Sequence, residues 1–508
     1  MMKKIYITTP IYYVNDLPHI GHAYTSVICD SIARFYKLHG LGVNFTTGTD
    51  EHGLKVEQAA RKNKKSPKAF VDDVSLNFLE LTKKLQLSNN DFIRTTEKRH
   101  HLAASHFWKN LEQNDHIYLD KYSGWYSVKD EAYYQEKELI KNKNGDFVTI
   151  DGGAVDWVEE ESYFFKLSKW QEKLLEYYEK NKNFVYPESR FNEVKSFVRS
   201  GLKDLSISRT SFSWGIKVPD TNHVMYVWVD ALVNYLTSLG YPDFEKQKEY
   251  WQNSYHIIGK DILKFHAVYW PALLLANNIN LPKQIIAHGW WTNEGKKISK
   301  SVGNTIDPNE MIDKYGLDQF RYFLIREIPL GNDGDFSKEA FLNRINSDLS
   351  NNLGNLIQRV MKFIYKNYDN RLPSKIDSTL DGYNLIEDGY ELLPLIDRKI
   401  EHFEISKCLE EIFVYIDKLN KFVDTNEPWK VFKVEKEKAG NGLSILIETF
   451  RIVGILLQPF IPIFSTNLLD LLNVDKNERE FKFLNIENLL KKDHIFNKPE
   501  ALFPRYEK

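Results

Sequence analysis

Residues 4–13 alternate polar and apolar side chains, the pattern of a half-buried strand, until Pro18 breaks it. From Ile20 the apolar positions fall at helical spacing through Ala23, Val27, Ile28, Ile32 and Phe35, and Gly40 stands where a helix stops. Residues 43–53, VNFTTGTDEHG, read as a second strand closing in a polar loop. Strand–helix–strand units of this kind build parallel sheets whose ligands sit at the carboxyl ends of the strands.

Residues 118–223 read differently. Their first part is crowded with Tyr, Trp and charge, and KNKNGDF has the form of a hairpin turn, so an insertion of mixed structure is expected. Sheet-like runs return at 223–232 (HVMYVWVDAL), 254–262 (SYHIIGKDI) and 284–291 (QIIAHGWW). From about 340 onward helical periodicity with Lys/Glu faces takes over, as in RINSDLSNNLGNLIQRVMKFI. The pattern predicts a split α/β domain carrying an insertion, followed by a helical domain.

Composition narrows the class. At 508 residues the chain is too long for one ordinary domain, and 42% hydrophobic with 27% charged residues is a soluble globular balance. With a formal net charge of −2, nucleic-acid contact has to come from local patches. The only cysteines, Cys29 and Cys408, cannot make a disulfide framework, which fits a reducing cytosol. MMKKIYITTP has no apolar core of a signal peptide. The run IVGILLQPFIPIF (452–464) is broken by Gln458, Pro459 and Pro462, so a buried helix end is expected there, not a membrane span.

Three short stretches carry chemistry. In LPHIGH (17–22), a helix starting near Pro18 or His19 puts His19 and His22 on one face, beside the unpaired N–H groups of a helix start. Gly21 leaves room for a flat ring or a phosphate. Two imidazoles there suit charge developing on a phosphate, though two surface histidines fit equally. In GKKISKSVGN (295–304), Lys297 and Lys300 ride on a loop hinged by glycines and could close over a triphosphate; a solvated lysine loop is the plainer reading. HIIGKDILKFH sets Gly259 and Asp261 at a strand's carboxyl end, where a carboxylate can hold a ribose hydroxyl or a substrate ammonium, or simply form a turn. TGTDEHG has the same shape, and a zinc site from Asp50 and His52 lacks ligand-spaced partners.

In this order and at this distance, the H-x-G-H and K-x-S-K-S elements resemble the class I aminoacyl-tRNA synthetases. TTPIYYVNDLPHIGHAYT, TGTDEHG, ESYFFKL, SGLKDLSISR, YVWVDALVNY, HIIGKDILKFHAVYWPALL and HGWWTNEGKKISKS are similar to blocks of the methionyl-tRNA synthetase family, and NNLGNLIQRV with KFVDTNEPWK extends the match into the helical part. The resemblance implies a Rossmann-type parallel-sheet catalytic domain (1–117 and 224–292) split by a mixed α/β connective insertion (118–223). A stem-contact region with the KISKS loop (293–350) and an α-helical bundle that binds the anticodon (351–508) complete the chain.

It also implies the activity: L-methionine and ATP give methionyl-adenylate and pyrophosphate, and methionine then passes to the 3′ end of its tRNA. His19, His22, Lys297 and Lys300 would be catalytic. ATP would meet these four with Gly21, Gly259, His288 and Gly289; methionine would meet Ile11, Tyr13, Trp228, Ala231, Tyr235, Asp261 and His266, with Asp261 on the ammonium. Asn355, Arg359 and Trp429 would meet the anticodon. Read without the resemblance, Trp228 is better explained as core. Further expectations are ATP with Mg2+, initiator and elongator methionine tRNAs as partners, no membrane, a cytoplasmic location and a monomer. No structural zinc is expected: between Asp115 and Val218 there is no cysteine and only His116, where many relatives carry CxxC knuckles, and Trp125, Tyr126, Tyr133 and Tyr134 stand in the first knuckle's place. The rival readings are another class I synthetase, whose editing insertion or zinc thiolates are missing here, a nucleotidylyltransferase, and a catalytically silent tRNA-binding relative.

Overall fold

Parallel strands need crossover connections, and the helix Ile20–Leu38 supplies the first. In the computed structural model, which describes residues 3–128, 132–134, 136–150, 152–298, 303–500 and 502–506, that crossover opens a seven-stranded parallel sheet. Across it lie Val185–Tyr186, Gln284–His288, Ser254–Gly259, Lys4–Thr8 and Gly42–Asp50, and the last pairs with both Tyr12–Tyr13 and Asp91–Arg94. The chain leaves Lys4–Thr8 on one side and returns at Ser254–Gly259 on the other. Their boundary is the point where strand order reverses, and the crevice outside the carboxyl ends there is where open α/β sheets bind ligands.

Two expectations are corrected. The strand at the amino end spans only Lys4–Thr8 and is buried on both faces, not half-buried. Ile5 and Ile7 enter one core with the helix Ile20–Leu38 and Phe45, whereas Tyr6 enters a second core with Phe107, Trp270 and Ile258. Helices cover both sides of the sheet, so strand alternation sorts residues between two interiors and not between core and water. The run 223–232 is sheet only at Val224–Met225 and then a helix, Val227–Leu232. A short apolar run fits a buried helix as well as a strand, and here Asp230 of that helix is drawn into buried hydrogen bonds with His52 and His100.

The insertion builds an antiparallel sheet in which Ile117–Ser127 pairs with Asp156–Phe165 over most of its length. The turn at KNKNGDF joins two short antiparallel strands, Ile140–Lys141 and Phe147–Val148. Trp125 stands cross-strand from Trp157, with ring centroids 5.4 Å apart, and 5.0 Å from Phe147. Such contacts are worth about 0.5–1.5 kcal/mol each beyond area burial.

The carboxyl-terminal part is a bundle of the helices Asn355–Asn367, Asn384–Glu401, Ile405–Asn426, Lys436–Leu457 and Pro462–Leu471. The run 452–464 is the end of one helix, a turn and the start of the next. Lys436–Leu457 is apolar and long enough to cross a membrane by composition, but 89% of its apolar window is buried inside the protein. One continuous core joins the bundle to the Ile5–Ile7 face of the sheet.

Candidate active site

The crevice is lined by the residues just beyond each strand: Thr9 to Tyr13 after the first, Asp50 to His52, Gly259 to Asp261, and His288 to Trp290. At its centre the helix Ile20–Leu38 begins with a reciprocal cap. The Gly21 amide donates to His19 Nδ1 at 3.1 Å, and the His19 amide donates to His22 Nδ1 at 3.1 Å. Each ring therefore uses Nδ1 as an acceptor, which leaves the proton of a neutral imidazole on Nε2. The rings stack 3.9 Å apart, and the backbone fixes both as Nε2–H donors beside a helix start. Gly21 is required: a Cβ there would lie 2.9 Å from Cε1 of His19. Tyr12 and Phe78 buttress His22 edge-on at 4.8 and 5.2 Å.

On the far side of this helix start, His288 Nε2 lies 2.8 Å from Thr25 Oγ1, and its Nδ1 lies 2.8 Å from the Gly289 carbonyl. Burial holds His288 below the ordinary imidazole range. Gly289 lets two segments touch, because a Cβ there would meet the Asn332 carbonyl oxygen at 2.1 Å. Gly259 pairs with His288 across the sheet. Asp261 is exposed and accepts from Trp290 Nε1 at 3.1 Å.

The aromatic group belongs to the second core, with Tyr235 inside it and Trp228 packed against it. Trp228 is half-buried and stacks on Phe265 at 3.9 Å and 10°. Tyr235 donates to His266 Nε2 at 2.7 Å, and His266 Nδ1 faces the Ile262 carbonyl at 3.1 Å. Burial pushes His266 down to about 4, so it is neutral at physiological pH. Ala231 lies one turn after Trp228 and is buried. Tyr13 is half-buried and donates to the His52 carbonyl at 3.0 Å; Ile11 occupies the preceding loop.

Two further carboxylates of the site were not among the expected site residues. Asp230, fully buried, takes His52 Nδ1 at 2.6 Å and His100 Nε2 at 2.8 Å, and the two imidazoles hold its carboxyl well below the usual range despite burial. This trio connects Tyr13, through His52, to the helix bearing Trp228 and Ala231. Asp50, a poor zinc ligand by its spacing, is a buried carboxylate at a strand's carboxyl end, in register with Tyr13. Its position at a strand terminus was a usable signal; the Asp230 trio had none, because its members lie 130 and 178 residues apart.

Lys297 lies in the short strand Lys296–Lys297, paired with Trp291–Asn293. Lys300 lies outside the described residues. In the bundle, Asn355 and Arg359 are exposed on one helix, and the Arg359 guanidinium sits 4.6 Å from the half-buried Trp429 ring.

A family model described as "tRNA synthetases class I (M)" matches residues 5–361, and one described as "Anticodon binding domain of methionyl tRNA ligase" matches residues 372–508. The methionine–tRNA ligase of Rickettsia bellii is 51% identical over 519 aligned residues, covering 100% of both chains. That of Brucella suis is 47% identical over 506, covering 99% of this chain and 98% of its own. Among solved structures, Mycobacterium tuberculosis methionyl-tRNA synthetase in complex with methionyl-adenylate is 44% identical with a TM-score of 0.96, covering 99% and 100% of the two chains. The free-state form of the same enzyme gives 41% and 0.88, covering 100% and 99%.

Proposed function

The chain belongs to the class I methionyl-tRNA synthetases, and from that premise we propose how its residues divide the two steps of the reaction it catalyses. It is a methionine–tRNA ligase: it activates methionine with ATP and transfers it to tRNA. In the first step a methionine carboxylate oxygen forms a bond to the α-phosphorus while the bond to the pyrophosphate oxygen breaks. The carboxylate is already ionised, so no general base is needed, and positioning and electrostatics supply the rate. His19 and His22 present Nε2–H donors to the oxygens that gain charge at the α-phosphate. Lys297 and Lys300 neutralise the leaving pyrophosphate. Adenosine lies along the backbone at Gly21, Gly259 and Gly289, and His288 closes that side. In the second step a hydroxyl of the terminal tRNA ribose attacks the carbonyl carbon and AMP leaves.

The thioether fits among Ile11, Tyr13, Trp228, Ala231, Tyr235 and the neutral His266, because polarisable sulfur packs well against ring edges. Of the two carboxylates near the pocket, the enclosed Asp50 beside Tyr13 suits the ammonium, and the exposed Asp261 on the Gly259–His288 side suits the ribose. The observation that carries the reading is the reciprocal histidine cap at the sheet's switch point. Its test is methionine-dependent ATP–pyrophosphate exchange across all twenty amino acids: methionine gives the strongest signal without tRNA, and stronger exchange with leucine or cysteine would sink the assignment. In the same assay Asp50→Asn raises KM for methionine by about 30-fold, the ~2 kcal/mol expected for a buried charge contact. Asp261→Asn acts mainly on KM for ATP, and the reverse pattern would return the ammonium to Asp261.

Among the described residues no three His, Cys, Asp or Glu side chains converge as a metal cage. Mg2+ is expected to arrive with ATP, held by phosphates and water, and the Trp125–Trp157–Phe147 cluster to staple the strands of the insertion by aromatic packing. The division of labour we propose follows the sequence boundaries: 1–117 and 224–292 for chemistry, 118–223 as connective insertion, 293–350 as stem-contact region, 351–508 for the anticodon of initiator and elongator methionine tRNAs. A cytoplasmic monomer is the corresponding working state. Asn355 and Arg359 read base edges while Trp429 takes a splayed base on its face. Trp429→Ala accordingly weakens aminoacylation by ~1–3 kcal/mol, one lost stack, and spares exchange; equal damage to both reactions would make Trp429 a folding residue.

A further inference from the structure

The helix that carries the histidine pair is tied to the distant bundle by one buried arginine that takes no part in the chemistry. Arg321, on the helix Leu317–Arg326, is 0% exposed. Toward the bundle, its Nε donates to the Phe460 carbonyl at 2.9 Å and an Nη to the Pro459 carbonyl at 3.1 Å. Toward the catalytic side, it lies 2.7 Å from Asp30 Oδ2 and also reaches Ser31 Oγ and the Leu85 carbonyl at 3.4 and 3.3 Å. Asp30 belongs to Ile20–Leu38, the histidine helix; it is fully buried and is held in turn by Arg34 Nε at 2.7 Å and the Ser88 amide at 2.6 Å.

One turn before Arg321, Asp318 accepts from the amides of Phe464 at 2.5 Å and Ile463 at 3.4 Å. Two side chains of one helix thus grip one turn of the bundle, the arginine taking its carbonyls and the aspartate its amides. That turn is QPFIPIF, the break in the apolar run 452–464. Its prolines end Lys436–Leu457 and start Pro462–Leu471, and the helix start exposes the unpaired amides that Asp318 caps. Stability alone does not call for this arrangement, since buried ion pairs are often matched or exceeded by apolar residues of similar volume; their best-attested use is to fix register.

We propose that Arg321, backed by Asp30 and Asp318, is a positioning residue that sets the register between the histidine helix and the bundle, so that a tRNA held at Trp429 lays its 3′ end on the adenylate. This rests on the anticodon reading of Asn355, Arg359 and Trp429. The test uses the full chain with Arg321→Lys, which keeps a charge against Asp30 but cannot span to the turn, and separately Asp318→Asn. Both oxygens of Asp318 accept amides of the turn, and an asparagine keeps the shape but offers one acceptor oxygen, so it gives up one of the two bonds.

Three readouts are compared: exchange without tRNA, binding of an isolated anticodon stem–loop RNA, and single-turnover transfer from preformed adenylate to full-length tRNA. Exchange and stem–loop affinity stay near wild type, while transfer slows by about tenfold or more, since a misplacement of ~1 Å can cost ~10²-fold. If Arg321→Lys does not fold, the same pattern is expected in Asp318→Asn. Parallel loss in all three readouts, or unchanged transfer in both variants, overturns the proposal. Stem–loop binding by Trp429→Ala reports separately on the anticodon reading: undiminished binding there defeats that reading without touching the register measurement.

Discussion

Replacing His22 with alanine lowers kcat for methionine activation by about 10²- to 10³-fold, the usual cost of one donor aimed at developing charge, and leaves KM for methionine nearly unchanged. His19→Ala does the same. The reason lies in the cap: each ring's Nδ1 is used by a backbone amide, so each Nε2–H points away from the helix start by construction. The two rings also depend on one another, because His22 accepts from the His19 backbone and the rings stack at 3.9 Å. Removing either loosens the other. The double variant therefore loses far less than the product of the single effects, as expected of contacting residues in one network. Loss of the cap itself costs only about 1 kcal/mol of helix stability, so a thermal melt separates a folding defect from a catalytic one. Strictly multiplicative losses in the double variant would contradict the reciprocal arrangement, and a loss confined to KM for methionine would remove both histidines from the transition state.

The legible part of the sequence was local. His19, Gly21 and His22 form their geometry within four residues, so spacing and a helix start suffice to place them. The strand-end places of Gly259 and Asp261 were legible because strand ends are where parallel sheets put ligands, whereas His288 and Gly289 entered only through the family resemblance. The failures share one cause, partners distant in the chain. Residues 4–8 alternate as a half-buried strand does, and nothing within the segment says that helices cover both faces. Residues 227–232 carry β-branched and aromatic side chains, yet the helix there is settled by Asp230 meeting His52 and His100. Arg321 sits in an ordinary amphipathic helix, and only the fold shows that it reaches residues 30, 85, 459 and 460. The apolar run 452–464 reads as a buried helix end and is one, but its docking role depends on the helix that presses on it.

Lys300→Ala lowers kcat for activation by about 10²-fold and leaves methionine affinity unchanged, because its charge matters as pyrophosphate departs. Lys300 lies outside the described residues, but both flanks of its loop are fixed beside the histidine cap. Before it, Lys296–Lys297 pairs with Trp291–Asn293, and Trp291 packs 5.5 Å from Tyr24 of the histidine helix. After it, the Ile306 carbonyl accepts from the Ile20 amide at 3.1 Å, and the Asn304 carbonyl from Asn293 Nδ2 at 2.8 Å. Gly295 and Gly303, at φ +74° and +70°, let the chain turn at each end. The described flanks of Lys300 thus stand beside the histidine helix, the side on which we place the β- and γ-phosphates. The same argument fixes which steps the substitution spares. Transfer from preformed adenylate to tRNA proceeds at the wild-type rate, since pyrophosphate has already left. Synthesis of ATP from adenylate and pyrophosphate slows by the same factor as the forward step, because both cross one transition state. Slowed transfer, or an effect seen only in KM for methionine, would place Lys300 somewhere other than on the departing phosphates.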